Sequence, residues 1–388
     1  MIPFIDLKAQ FARIDEDVSA RMRTVLESGA FIMGPEVGEL EKRLAAFVGA
    51  RHAISCSSGT DALLMILMAL GVGPGDAVIT TPFTFIATAE VIALLGATPV
   101  FADIDPDTYN LSPAAVEAAI AALQGKGDYP LPTQAKGGAL RLRGILSADM
   151  FGLPADCDAL NAIAARHGIF HLEDAAQSMG GSYKGRMTCS LAQAAGTSFF
   201  PAKPLGCYGD GGMVFTDDDG LADIVQSIRV HGKGSHKYDN ARVGINGRLD
   251  TLQAAVLLAK LDIFEDEIAA RQRVAGAYTQ RLAQIPGVTP PHVPEGSLSA
   301  WAQYTVRVED GRREAMQAAL KAAGVPTAVY YPKPLHQQTA FAGLGYATGD
   351  MPASEMCAGR VFSLPMHPYM GEETIAMVCD AMAGAAGA

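Results

Sequence analysis

From about residue 50 to 235, short apolar runs rich in β-branched residues alternate with segments whose apolar positions recur every three or four residues. AVITTPF (77–83), TPVFADI (98–104), RGILSADMFG (143–152), GIFHLEDAA (168–176) and AGTSFF (195–200) predict buried strands. TDALLMILMAL (60–70), TAEVIALLG (88–96) and DALNAIAARHG (158–168) predict the helices between them. Alternation of this kind predicts an α/β fold: a mostly parallel sheet with helices on both faces. GDGGMVFT (209–216) reads as a further strand entered through a glycine turn. A continuous helical pattern over 251–285 leads away from the sheet, GVTPPHVPEG (287–296) breaks it, and AWAQYTVRV and VPTAVYYPKPLH suggest a small α+β lobe. The expected division is a large domain over 1–250, with its N-terminal segment, and a long helix plus small domain over 251–388. Residues 124–143, rich in glycine and lysine, read as a surface loop.

Composition narrows the function classes. The chain has 388 residues, 49% hydrophobic and 18% charged, without a long polar tract, so it is globular. No apolar run is long enough to span a membrane, and the N-terminus MIPFIDLKAQ carries no export signal. A cytoplasmic location is expected. The net charge of −11, with no basic run against it, disfavours a nucleic-acid partner. Six cysteines without a C-x-x-C pair suggest neither a disulfide framework nor a metal site.

Candidate chemistry starts at SFFPAKPLGCYGDGG, Ser198 to Gly212, where Lys203 stands among apolar residues between Pro201 and Pro204. A lysine in a stiff, dry setting loses its proton readily and can form a Schiff base. In CSSGTDALLM, Ser57 and Ser58 precede a helix, Gly59 admits close approach and Thr60 adds a hydroxyl, so free amides at the positive helix end can hold a phosphate. A plain serine cap accounts for the same residues. Asp174 and Gln177 follow a predicted strand, where ligands gather in open α/β sheets. Asp174 can hold a proton on a pyridine nitrogen, or merely cap a helix. Asp174 and Lys203 are about one strand-helix-strand unit apart, so neighbouring strand ends can present both to one ligand. Phe83 and Phe85 each offer a flat ring, as core or as a stacker on a heterocycle. Together these features match pyridoxal phosphate.

The motifs FIMGPEVGELEKRLAAFVGARHAISCSSGTDAL, TTPFTFIATA, EDAAQSMGG, TSFFPAKPLGCYGDGGMVFT, GINGRLDTLQAAVL and YYPKPLHQQ, in this order, resemble the DegT/DnrJ/StrS sugar-nucleotide aminotransferases. The resemblance covers nearly the whole chain and implies the aspartate aminotransferase fold, type I. It implies pyridoxal 5'-phosphate, and pyridoxamine 5'-phosphate in the half-reaction. Lys203 would be the Schiff-base lysine, Asp174 the partner of the ring nitrogen, Gln177 a neighbour of the ring hydroxyl and Phe85 the stacker. Gly59, Thr60 and Ser198 would hold the phosphate, joined by Asn246 of a neighbouring subunit in a homodimer with shared active sites. The sequence is most similar to members acting on a UDP-linked 2-acetamido-3-keto-hexuronic acid with glutamate as donor, for cell-surface polysaccharide (lipopolysaccharide O-antigen). Arg248 would pair with the sugar carboxylate, with Tyr331 and His336 contacting sugar or diphosphate. A 4-keto-6-deoxy sugar substrate, a dehydratase and a non-catalytic sensor are the alternatives. Many relatives read VHLFG where this chain has Ala148-Asp149-Met150-Phe151-Gly152.

Overall fold

A computed structural model describes residues 2–135, 140–236 and 238–387. Five strands open the large lobe: β1 (His52–Cys56), β2 (Asp76–Thr80), β3 (Thr98–Phe101), β4 (Arg141–Ala148) and β5 (Phe170–Asp174). A hairpin of β6 (Ser182–Tyr183) and β7 (Arg186–Met187) follows, then β8 (Ala194–Ser198) and β9 (Gly212–Thr216). The central sheet has seven strands in the order β1-β9-β8-β5-β4-β2-β3. All are parallel except β9, which runs antiparallel to β1 and β8. The expected mostly parallel sheet is present.

Helices cover the sheet: α1 (Leu7–Ser28), α2 (Pro35–Val48), α3 (Gly59–Ala69), α4 (Ala87–Leu94), α5 (Pro113–Leu123), α6 (Cys157–His167) and α7 (Asp219–Arg229). On one side of the sheet, α3 and α7 pack their apolar residues with Ile54, Val78, Leu146, Leu172 and Val214. Elsewhere Val37, Leu40 and Leu44 of α2 meet Phe199, Met213 and Phe215, while Val116 and Ile120 of α5 meet Ile79, Val100 and Ile145. Both faces of the strands are therefore dry, which is why they read as uninterrupted apolar runs.

The helical pattern over 251–285 divides into α8 (Thr251–Leu261) and α9 (Phe264–Leu282), separated by Asp262 and Ile263. The buried face of α8 joins the large-lobe cluster around Leu40 and Phe215. By contrast, Val274, Tyr278 and Leu282 of α9 pack in the C-terminal core. That core contains β10 (Val288–Thr289), β12 (Tyr304–Val308) and β13 (Val361–Leu364), covered by α10 (Arg313–Ala322) and α12 (Glu372–Gly387); β11 (Ser297–Leu298) instead pairs with β6, and α11 (Pro352–Arg360) lies against the large lobe. Ile2 packs against this C-terminal core and the Phe4 carbonyl accepts from the Met366 amide, so the N-terminal segment links both ends of the chain.

The proposed 124–143 loop is shorter than its sequence suggested. Arg141 to Arg143 already belong to β4, Leu131 packs on the large-lobe core, and the Tyr129 hydroxyl accepts from the Asp103 amide at 2.8 Å. Residues 136–139 lie outside the described residues. All six cysteines are buried and unpaired, and no helix among the described residues is long and apolar enough to cross a membrane.

Candidate active site

A cavity of about 650 Å³ opens at the carboxyl ends of β4, β5 and β8, between the sheet and the C-terminal lobe. Seven residues singled out from sequence for the cofactor line it: Gly59, Thr60, Phe85, Asp174, Gln177, Ser198 and Lys203; Tyr331 lines it too. Strands β5 and β8 are adjacent and parallel, with Asp174 level with Gly196, so Asp174 and the segment leading to Lys203 converge at one end of the sheet. The connection between them is the β6–β7 hairpin and turns, not the helix that the spacing suggested.

Asp174 is buried, and its carboxylate accepts from Thr88 Oγ1 at 2.7 Å and from the Ala176 amide at 3.1 Å. Thr84 Oγ1 lies 3.0 Å from Thr88 Oγ1, so a hydroxyl chain fixes which way the Thr88 proton points. Burial raises the Asp174 pKa, against the lowering by those two hydrogen bonds and by Lys203. A buried carboxylate with no bonded basic side chain among the described residues favours a ligand that brings a positive charge. The loop after β8 holds Lys203 through its amide, which donates to Phe200 O at 2.9 Å. Burial lowers the Lys203 pKa, opposed by the Asp174 charge, so the neutral amine is more accessible than in water. Phe200 is not the end of a buried strand, being 52% exposed, whereas Phe199 is fully buried.

The helix N-terminus expected to hold a phosphate has the required construction. Ser58 Oγ accepts from the Asp61 amide at 3.0 Å, so Ser58 is the N-cap, and the Gly59 and Thr60 amides have no acceptor among the described residues. A Cβ on Gly59 would lie 2.7 Å from Ser198 Cβ; only glycine lets the helix start and the end of β8 close together. The residues therefore fit a phosphorylated, cationic heterocycle. Of the two candidate rings, Phe83 is fully buried against Tyr109 and Phe151, while Phe85 is 56% exposed and lines the cavity. Gln177 accepts from the Phe151 amide at 2.9 Å and donates to the Tyr331 hydroxyl at 3.4 Å.

Three candidates lie elsewhere. His336 is buried outside the cavity lining, with Nε2 2.9 Å from Glu355 Oε1, so in this structure it braces α11 rather than facing a substrate. Asn246 and Arg248 are on the loop before α8, outside the lining, with Arg248 Nε donating to Asn246 Oδ1 at 3.0 Å. Sequence reasoning missed Thr88, Ile5, Gln303 and Tyr330, and noted Asp149 only as a departure. Thr84 and Thr88, four apart after a predicted strand, were a usable signal for the first. Asp149 accepts from Ser178 Oγ at 2.6 Å and the Ala155 amide at 2.9 Å, and burial raises its pKa, as it does that of neighbouring Glu173. The cavity floor is thus acidic behind Asp174.

The model of the DegT/DnrJ/EryC1/StrS aminotransferase family matches residues 12–383. The chain is 52% identical to the UDP-2-acetamido-2-deoxy-3-oxo-D-glucuronate aminotransferase of Pseudomonas aeruginosa, over 98% of this chain and 99% of that protein. A crystal structure of a DegT DnrJ EryC1 StrS aminotransferase from Brucella abortus is similar with a TM-score of 0.94 at 48% identity, covering 100% of both chains. Streptomyces venezuelae DesV, solved in complex with a ketimine intermediate, is similar with a TM-score of 0.92 at 37% identity, covering 100% of this chain and 99% of that one. The chain belongs to the DegT/DnrJ/EryC1/StrS aminotransferase family.

Proposed function

We propose that this pyridoxal-phosphate-dependent aminotransferase moves an amino group from glutamate to C3 of UDP-2-acetamido-2-deoxy-3-oxo-glucuronic acid, for a cell-surface polysaccharide. The observation that carries the transamination is the convergence of Lys203, Asp174 and the Gly59 cradle in one cavity. The choice of sugar rests on the 52% identical relative named for that substrate. When bound, the cofactor supplies an electron sink for the carbon that loses its proton.

The protein's own groups do the rest. The free amides of Gly59 and Thr60, with the Ser198 hydroxyl, would anchor the phosphate. Asp174, oriented by Thr88, would keep the ring nitrogen protonated, and Phe85 would cover one ring face. Lys203 Nζ, with its lowered pKa, would accept a proton from the donor's carbon and return it to the opposite position. The presence of Lys203, which can carry the amino group's proton transfer, favours transamination over the dehydratase alternative.

The site is shared in a homodimer, with Asn246 completing the phosphate cradle and Arg248 pairing with the sugar carboxylate, both from the partner subunit. Support comes from the exposure of Asn246, beside half-buried Arg248, on a loop whose Val243 is 85% exposed, and from exposed Phe11, Phe31 and Ile32 elsewhere. Sedimentation with and without cofactor tests the dimer. Substrate choice is tested by giving the cofactor's amino form a panel of keto-sugar nucleotides; preference for a 4-keto-6-deoxy sugar rejects it.

A further inference from the structure

We infer that Gln303 is a specificity residue whose side-chain amide hydrogen-bonds a neutral polar group of the keto sugar, a hydroxyl or the acetamido N–H. The inference rests on the aminotransferase reading above. Gln303 lies just before β12 in the C-terminal lobe, far along the chain from Asp174 and Lys203. It reaches the cavity because the two lobes touch closely at Gly152. There the backbone has φ +100°, and a Cβ would lie 2.7 Å from the Trp301 amide and 2.9 Å from that of Ala302. The Gly152 carbonyl accepts from the Ala300 amide at 2.8 Å, and Phe151 O from the Gln303 amide at 3.4 Å.

Phe151 therefore stands between two glutamines. Its N–H donates to Gln177, and its carbonyl accepts from Gln303. Gln177 is assigned to the ring hydroxyl, which in pyridoxal phosphate neighbours the reacting carbon, so Gln303 flanks the space a substrate would occupy. Its Oε1 is shielded from solvent yet has no hydrogen-bond partner among the described residues. An unpaired buried acceptor is costly, and the cost is relieved when the side-chain amide turns into the cavity that Gln303 lines and a ligand there brings a donor. Gln177, also neutral, is already bonded at both ends, whereas Gln303 has its acceptor free. A neutral amide complements a sugar hydroxyl or N–H; the carboxylates of glutamate call for a cation.

The two half-reactions separate these roles, since both change the cofactor's absorbance. In Gln303→Met the sugar half-reaction should lose roughly ten- to hundredfold in kcat/KM, mostly through KM, while the glutamate half-reaction stays within about twofold of wild type. Should that variant fail to bind cofactor, Gln303→Asn withdraws the amide by one methylene, with the same expectation. Equal losses in both half-reactions, a loss with glutamate alone, or no loss would each overturn the contact. A wild-type protein that reacts with glutamate but not with UDP-2-acetamido-3-oxo-glucuronate would overturn the substrate reading and this contact together. A reactive wild type with an unaffected variant overturns the contact alone.

Discussion

The floor of the cavity and the loop around Asn246 are both assigned to the cofactor, yet they are built differently. Floor groups sit at or just past strand ends, Asp174 and Gln177 buried and Ser58 half-buried, with each bond made inside one chain: Asp174 to Thr88, Ser58 to Asp61, Gln177 to Phe151. On the loop, Asn246 is exposed and its side chain bonds to that of Arg248, outside the cavity lining. On the proposed reading, a protomer holds the charges that set cofactor chemistry and relies on its partner to complete the anion-binding rim. The difference teaches that cofactor chemistry and substrate choice are physically separable here: changes to the floor or to Asn246 should impair both half-reactions, and a change to Arg248 should discriminate among substrates.

The largest effect is expected on the floor. Lys203→Ala should lower single-turnover rates with either substrate by roughly 10⁴-fold or more, and borohydride should no longer fix the cofactor to the peptide containing residue 203. Asp174→Asn keeps the Thr88 and Ala176 neighbours but removes the charge, and should cost about 10²–10³-fold in both half-reactions with the cofactor still bound. On the rim, Arg248→Ala should lose roughly a hundredfold in kcat/KM on the uronate and far less on the matching neutral hexose. Equal losses would place Arg248 in the floor's class. Mixed Lys203→Ala and Asn246→Ala subunits form heterodimers with one intact site, so activity should recover to about a quarter of wild type, and no recovery after full exchange would mean unshared sites.

The smallest effect lies beneath the floor, in stability. His171 is held neutral, with Nδ1 2.8 Å from Asn161 Oδ1 and Nε2 2.9 Å from Ser147 Oγ, and burial lowers its pKa to about 3. Its folded pKa lies below the unfolded value of about 6.5, so its contribution is full above that pH and is lost as pH falls toward 3. Urea midpoints should show His171→Gln less stable than wild type by about 1–2 kcal/mol at neutral pH, with the gap narrowing near pH 4. A constant gap would mean that the imidazole does not titrate on unfolding.

What the sequence made legible follows burial by near neighbours. Strands dry on both faces are apolar runs whatever their partners, and the Gly59 and Lys203 segments announce themselves by composition. Strand β1, HAISC, has no such contrast, and α5, PAAVEAAIAAL, is so rich in alanine that its apolar stripe is faint. The break at Asp262–Ile263 is silent because residues on either side favour helix equally. Phe83 and Phe85 were indistinguishable until the turn after β2 put one in the core and the other in the cavity. Gln303 was beyond reach for another reason: its place depends on how closely the lobes approach at Gly152, which no local pattern records.

The central claim is that this floor moves an amino group onto C3 of a 3-keto uronate. Incubation with UDP-2-acetamido-3-oxo-glucuronate and glutamate carrying isotopically labelled nitrogen, read by mass spectrometry and NMR of the sugar, tests it directly. The expected result is the label on C3, with one 2-oxoglutarate released per labelled sugar, and none of this in Lys203→Ala. An unlabelled sugar, or a label that appears only when a 4-keto-6-deoxy sugar nucleotide is supplied, would contradict it.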